Sequence, residues 1–140
     1  EQFEKIAALN QYNQYLIERF FRPTARVDIG QAIMDYASSL IDISDGLIGD
    51  VKKIMSASDV GAILHIEDIP LSKEILEIYE PKKSQTFALS GGDDYELLFT
   101  APAENLSKIM DISKEKDQKI IMIQIVLYHC IIMLYIIYIV

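Results

Sequence analysis

The segment IDISDGLIGD (41–50) places Asp42, Ser44, Asp45 and Asp50 among apolar residues and two glycines. Side chains two apart on an extended strand share a face. Asp42 and Ser44 therefore point the same way as a strand ends, and Asp45 follows in the turn. Gly46 permits a sharp turn and close backbone approach. The helix that follows opens with unpaired amides and a partial positive charge. Hard carboxylate oxygens suit Mg2+, and a hydroxyl with free amides suits phosphate oxygens, so these residues could serve magnesium–nucleotide chemistry. They also make an ordinary helix start, with Ser44 or Asp45 as an N-cap that contributes about 1 kcal/mol. No Glu or Gln stands three residues later to complete a capping box. Asp42 is unneeded for a cap and awkward inside an apolar strand. By itself the segment leaves both readings open.

A second segment, SGGDDYELLFT (90–100), has the same ambiguity. Paired glycines bring backbone up to a ligand while Asp93 or Asp94 contacts a hydroxyl, a cation or metal-bound water. Gly-Gly-Asp-Asp is equally a good turn before a strand. On that strand Tyr95, Leu97 and Phe99 share one face, with Glu96, Leu98 and Thr100 on the other; Leu98 implies cover on the second face too. Other candidates are weaker. His65 reads as a mid-strand core or edge residue, Arg22 and Arg26 as solvated or ion-paired, and EILEIYE (74–80) as the wet face of a helix. No Walker loop, protein-kinase signature or nucleophile elbow is present.

The elements that must hold these segments follow from periodicity and punctuation. Residues 1–21 read as a helix stopped by Arg22-Pro23. A second helix is expected from about Ile29 to Ser38, opened by Asp28 as cap, and SLIDIS (39–44) as a short buried strand. From Leu47 to Ala57 a helix gathers Leu47, Ile48, Val51, Ile54 and Met55 on one face, with Asp50, Lys52 and Lys53 largely elsewhere. GAILHIEDIP (61–70) reads as a strand, Lys73–Tyr79 as a helix, and the stretch before Ser90 as a helical turn. DYELLFTAP (94–102) is the next strand, and Ala103 to about Ser113 a further helix. Strands alternating with helices predict an α/β or mixed α+β layered domain.

At 140 residues the chain has room for one domain with a real core. A formal charge of −8 argues against a nucleic-acid or anionic-membrane surface. Lone Cys130, with only His65 and His129 beside it, provides neither an internal disulfide nor a thiolate–imidazole zinc site. The first residues lack a signal-peptide layout, so a cytoplasmic protein is expected. Residues 120–140 differ from the rest: 21 residues without Asp, Glu, Lys or Arg, nine of them Ile. Roughly 20 apolar residues suffice to cross a bilayer as a helix, Ile and Tyr favour buried strands, and an altered reading frame in an AT-rich gene gives the same composition. The last reading is preferred, which divides the chain into a domain at 1–119 and an atypical apolar tail at 120–140.

Taken together, D-x-SDGL and GGDDYELLFT resemble the thiamine-monophosphate kinase family, within the superfamily of aminoimidazole ribonucleotide synthetase and selenophosphate synthetase. The likeness runs from about residue 16 to 102. It implies an α/β (mixed α+β) layered domain like the C-terminal domain of aminoimidazole ribonucleotide synthetase, truncated here. It implies ATP-dependent phosphorylation of thiamine monophosphate to thiamine diphosphate, with Mg2+ required and no covalent phospho-enzyme. Asp42 and Asp45 match magnesium-binding positions, Ser44 matches an ATP contact, and Asp93 matches a substrate contact that is usually Glu in the family. Asp50 and Asp94 receive no role. The resemblance also implies a homodimer in the complete enzyme and an N-terminal half with further metal-binding aspartates, absent before Glu1. This fragment is accordingly expected to be inactive unaided. Two other assignments fit the same residues: a related ATP-dependent enzyme with another phosphate acceptor, and a non-catalytic module held to a membrane or partner by residues 120–140.

Overall fold

A computed structural model describes residues 2–118, 120–126 and 131–137. Helix α1 (Gln2–Phe21) ends where Pro23 forbids continuation, and α2 (Val27–Ile33) follows. Strand β1 (Ser39–Ile43) leads through the acidic loop into α3 (Leu47–Ser58). Helices α4 (Lys73–Ile78) and α5 (Pro81–Ser90) precede β2 (Glu96–Pro102), and α6 (Leu106–Glu115) precedes β3 (Ile120–Val126) and β4 (Ile131–Ile137). The four strands form one sheet in the order β1-β2-β4-β3, with antiparallel pairing throughout. The mixed α+β form of the expectation is therefore the one adopted.

Helices cover β2 from both sides. Leu98 joins Ile43, Leu47, Val51, Ile54, Met55 and Ala88 in one core, under α3 and α5. Phe99 and Ala101 join Ile29, Ile33, Ile109 and Ile120 in a second core, under α2 and α6. Alternation along β2 sends Leu98 and Phe99 to opposite faces, and both are fully buried. Burying each such side chain contributes about 1.5–3 kcal/mol, so β2 is anchored on both sides and can carry a precise loop at its start. Strand β1 lies at the sheet edge and alternates between half-buried and exposed residues before ending at buried Ile43. Exposed Asp42 suits that edge, where a charge discourages pairing with another chain.

Three expectations change. Arg26, not Asp28, occupies the N-cap of α2, and its side chain makes no cap bond; Asp28 lies in the first turn, where its charge favours the helix dipole. Residues 61–70 form no strand but an irregular run with one 3-10 turn (Ile66–Asp68); the segment packs Ile69 into the first core and does not pair with β1. His65 is consequently exposed. The apolar run at 120–140 forms no membrane-length helix among the described residues; 120–126 and 131–137 pair as strands, and β4 adds directly to β2. His129 and Cys130 lie outside the described residues.

Candidate active site

The two acidic segments meet at the start of β2. The carbonyl oxygens of Ile43 and Ser44 accept from the backbone amides of Tyr95 (2.8 Å) and Asp93 (3.0 Å). Glycines make this approach possible. A Cβ on Gly46 would stand 2.8 Å from the Gly91 oxygen, and one on Gly92 would stand 2.6 Å from the Ser44 oxygen. Gly46 also has φ of +89°, a conformation other residues adopt only with strain. One loop therefore rests backbone to backbone on the other.

The helix-cap reading of Ser44 and Asp45 is not realised. Gly46 is the N-cap of α3, and no side chain caps it. Asp50 holds the loop instead: wholly buried, it accepts from the backbone N–H of Ser44 (2.9 Å) and of Asp45 (3.0 Å) through Oδ2. Its Oδ1 accepts from Lys53 Nζ at 2.6 Å, and the same ammonium donates to Asp45 Oδ2 at 2.5 Å. Hydrogen bonds to both carboxylates raise the Lys53 pKa. Sequence reasoning set Asp50 off the buried face. The spacing Leu47, Asp50, Val51, Ile54 is in fact i, i+3, i+4, i+7, the signal that places it inward. Asp50→Asn should therefore lower stability by about 1–3 kcal/mol, because a neutral amide replaces a buried charged acceptor; urea denaturation of parent and variant checks this.

With capping assigned to Gly46 and Asp50, the side chains of Asp42, Ser44 and Asp45 are left for other work. Asp42 is exposed, Ser44 is half-buried, and the Asp45 side chain is 68% exposed. Asp93 is also exposed and has φ of +65°, while Tyr95, two residues on, has φ of +53°. A bulky residue held left-handed costs about 1–2 kcal/mol, and such strain tends to persist where it positions a site. It takes Tyr95 off the strand face expected for it, outside β2. Its hydroxyl donates to Asp93 Oδ1 at 3.1 Å. That bond raises the Tyr95 pKa, and the charge of Asp42 adds to the effect, so residues 42, 93 and 95 share one electrostatic neighbourhood.

Behind this surface lies a buried ion triad. Glu96 accepts from Arg26 Nε (2.7 Å) and Nη2 (2.8 Å), and from Arg19 Nη2 (2.7 Å). Burial pushes the Glu96 carboxyl up, opposed by both arginines, while Glu96 raises Arg26. With three short contacts to two guanidiniums, the triad is ionised. Arg26 is thus the ion-paired residue that sequence reasoning allowed for.

Asp94 is 9% exposed. Burial, then the charge of Glu96, raises its pKa from 3.8 to about 7, with Arg19 opposing and Asp93 adding. The folded domain keeps a proton there that the unfolded chain has lost above about pH 4. Stability should therefore fall as pH rises from about 4 through 7. Asp94→Asn is expected to flatten that part of the curve, with Glu96 supplying the residual slope; melting temperatures across the range measure it.

Among the described residues no three His, Cys, Asp or Glu side chains are grouped to cage a metal by themselves. Magnesium does not require such a cage, since it keeps several waters and is bound through one or two carboxylates plus substrate phosphates. Asp42 and Asp45 are exposed hard-oxygen donors of that kind, and the Lys53 ammonium rests on Asp45.

Residues 10–123 match the family model for AIR synthase related protein, C-terminal domain. The thiamine-monophosphate kinase of Escherichia coli strain K12 is 48% identical over 91 residues, which are 65% of this chain and 28% of that protein. The crystal structure of thiamine-monophosphate kinase from Stenotrophomonas maltophilia K279a aligns with a TM-score of 0.74 at 29% identity, over 91% of this chain and 37% of that one. AaThiL complexed with AMPPCP and TMP aligns with a TM-score of 0.61 at 41% identity, over 66% of this chain and 31% of that one. In each case the match takes in less than two-fifths of the other protein's length.

Proposed function

The chain belongs to the AIR synthase related family, matching its C-terminal domain, and on that premise we propose that it serves ATP-dependent phosphorylation of thiamine monophosphate to thiamine diphosphate. The observation that carries this reading is the backbone contact between the 42–46 loop and the Gly91-Gly92-Asp93 loop, which brings candidate nucleotide-side and acceptor-side residues together. Relatives named thiamine-monophosphate kinase, and the complex of one structural neighbour with AMPPCP and TMP, support it.

On this proposal Asp42 and Asp45 hold Mg2+ carried by ATP, Ser44 contacts the nucleotide phosphates, and Asp93 contacts thiamine monophosphate. Magnesium supplies charge neutralisation on the phosphates, the main need of phosphoryl transfer. The chain's own residues set the geometry. Asp50 fixes the backbone of residues 44 and 45, and Lys53 offsets the charge of Asp45. Tyr95 orients Asp93 by donating to it. Residues 1–119 carry most of the C-terminal-type domain of a cytoplasmic, homodimeric enzyme, and strands β3 and β4 from the 120–140 run complete its sheet. The remaining parts of the site come from the region of the relatives outside the match.

The test joins the chain to that region of the Escherichia coli relative and measures ADP release. Release that depends on thiamine monophosphate, and yields thiamine diphosphate, supports the assignment. ADP release indifferent to thiamine monophosphate but stimulated by another phosphate acceptor would replace it.

A further inference from the structure

Lys53 touches the proposed cation loop without being one of the residues assigned to metal, nucleotide or acceptor. It stands one turn beyond Asp50 on α3, and its Nζ donates to Asp45 Oδ2 (2.5 Å) and to Asp50 Oδ1 (2.6 Å). The two partners are unlike. The Asp50 side chain is wholly buried, and its other oxygen accepts from the backbone N–H groups of Ser44 and Asp45. That carboxylate cannot turn away without breaking both bonds, so it pins the ammonium beside the loop. The Asp45 side chain is 68% exposed, and an exposed ion pair contributes little. Lys53 therefore has one fixed anchor and one releasable contact.

The place of this ammonium decides how it treats an incoming cation. Lys53 rests on Asp45 and shares with Asp42 a cavity of about 250 Å3 beside β1, so its charge stands close to both carboxylates proposed to hold the metal. Hydrogen bonds to Asp45 and Asp50 raise its pKa, which keeps it cationic. A free dication is repelled by that charge, because water at a protein surface screens a close pair only in part. A dication already complexed to a nucleoside triphosphate is a net anion with phosphate oxygens to offer. An ammonium has three donors. Asp45 and Asp50 take two of them, and among the described residues the third has no acceptor.

Resting on the function proposed above, we infer that Lys53 is a specificity-determining residue of the cation loop. It opposes free Mg2+ at Asp42 and Asp45 and donates to a phosphate oxygen of the metal-bound nucleotide, so the loop accepts the cation together with its nucleotide. Asp50 keeps the ammonium in reach when Asp45 is released from it.

Paired titrations of the full chain test this role. Mn2+ alone, followed by electron paramagnetic resonance, reads the affinity for a free cation. Mg2+·AMPPCP, followed by calorimetry, reads the affinity for the complexed one. Lys53→Met should bind Mn2+ alone roughly threefold to fivefold more tightly, the size of one exposed ion pair. The same variant should bind Mg2+·AMPPCP about tenfold more weakly, the size of a hydrogen bond to a charged group. Lys53→Arg, which keeps a charge and donors, should recover most of the nucleotide affinity. A loop merely disordered by the substitution would weaken both ligands, so the opposite signs separate selection from a structural role. Unchanged or weaker Mn2+ binding in Lys53→Met overturns the inference, and so does unchanged or tighter Mg2+·AMPPCP binding. With the parent still binding Mg2+·AMPPCP, either result leaves the proposed function standing. A parent chain that binds no Mg2+·AMPPCP overturns both together.

Discussion

Glu96→Ala is expected to destabilise the domain by about 3–5 kcal/mol, the usual cost of removing one partner from a buried charge group. Only 1% of the Glu96 side chain is exposed, against 12% for Arg19 and 21% for Arg26. The substitution leaves two guanidiniums facing each other across a hole at the first residue of β2. For a domain of this size the melting temperature should fall on the order of 10 °C. The triad also ties α1 and the start of α2 to β2, elements 70 and 77 residues apart in sequence. Loss should therefore appear first as fraying of α1, visible in amide exchange. Replacing all three residues together, Arg19→Met, Arg26→Met and Glu96→Leu, should cost far less, because no charge is then stranded. Thermal melts of the single and triple variants distinguish the two outcomes. A single variant within 1 °C of the parent would mean the triad is solvated in solution.

Asp42→Asn and Asp45→Asn carry the other large effect, on turnover. Each carboxylate is exposed at the loop, so neither substitution strands a buried group, and the melting temperature should move by less than about 2 °C. In the joined enzyme each should lower turnover on the order of 100-fold or more, the size of losing one contact that stabilises developing charge. Asp45→Asn also frees Lys53 from one partner, although Asp50 still holds it. The two variants need not be equal. Activity assays at saturating magnesium, run beside thermal melts, test this split. Equal losses of stability and activity would make the carboxylates structural.

Much of this arrangement is legible in the chain itself. Pro23 and Pro81, the 3.6-residue periodicity of α3 and the turn residues before β2 locate most elements, because each acts through local backbone geometry. The apposition of the two loops is not local. It is legible only indirectly, through Gly46, Gly91 and Gly92, whose missing Cβ atoms matter only once the second backbone is in place. Residues 61–70 mislead because an apolar run between Gly61 and Pro70 carries strand propensity, yet propensity cannot supply a sheet neighbour. Asp50 was hidden by its charge: an ionisable residue on the inward face of a helix reads as an error in the pattern until its backbone partners are known. Glu96 was hidden in the same way, since its arginines come from α1 and the turn before α2.

The most direct measurement is titration of Mg2+·AMPPCP into the chain and into Asp42→Asn and Asp45→Asn. The nucleotide should bind the parent only with magnesium present, and each substitution should weaken that binding at least about tenfold. Magnesium-independent binding, or equal affinity in all three proteins, would contradict the assignment of the 42–45 carboxylates to a nucleotide-borne cation.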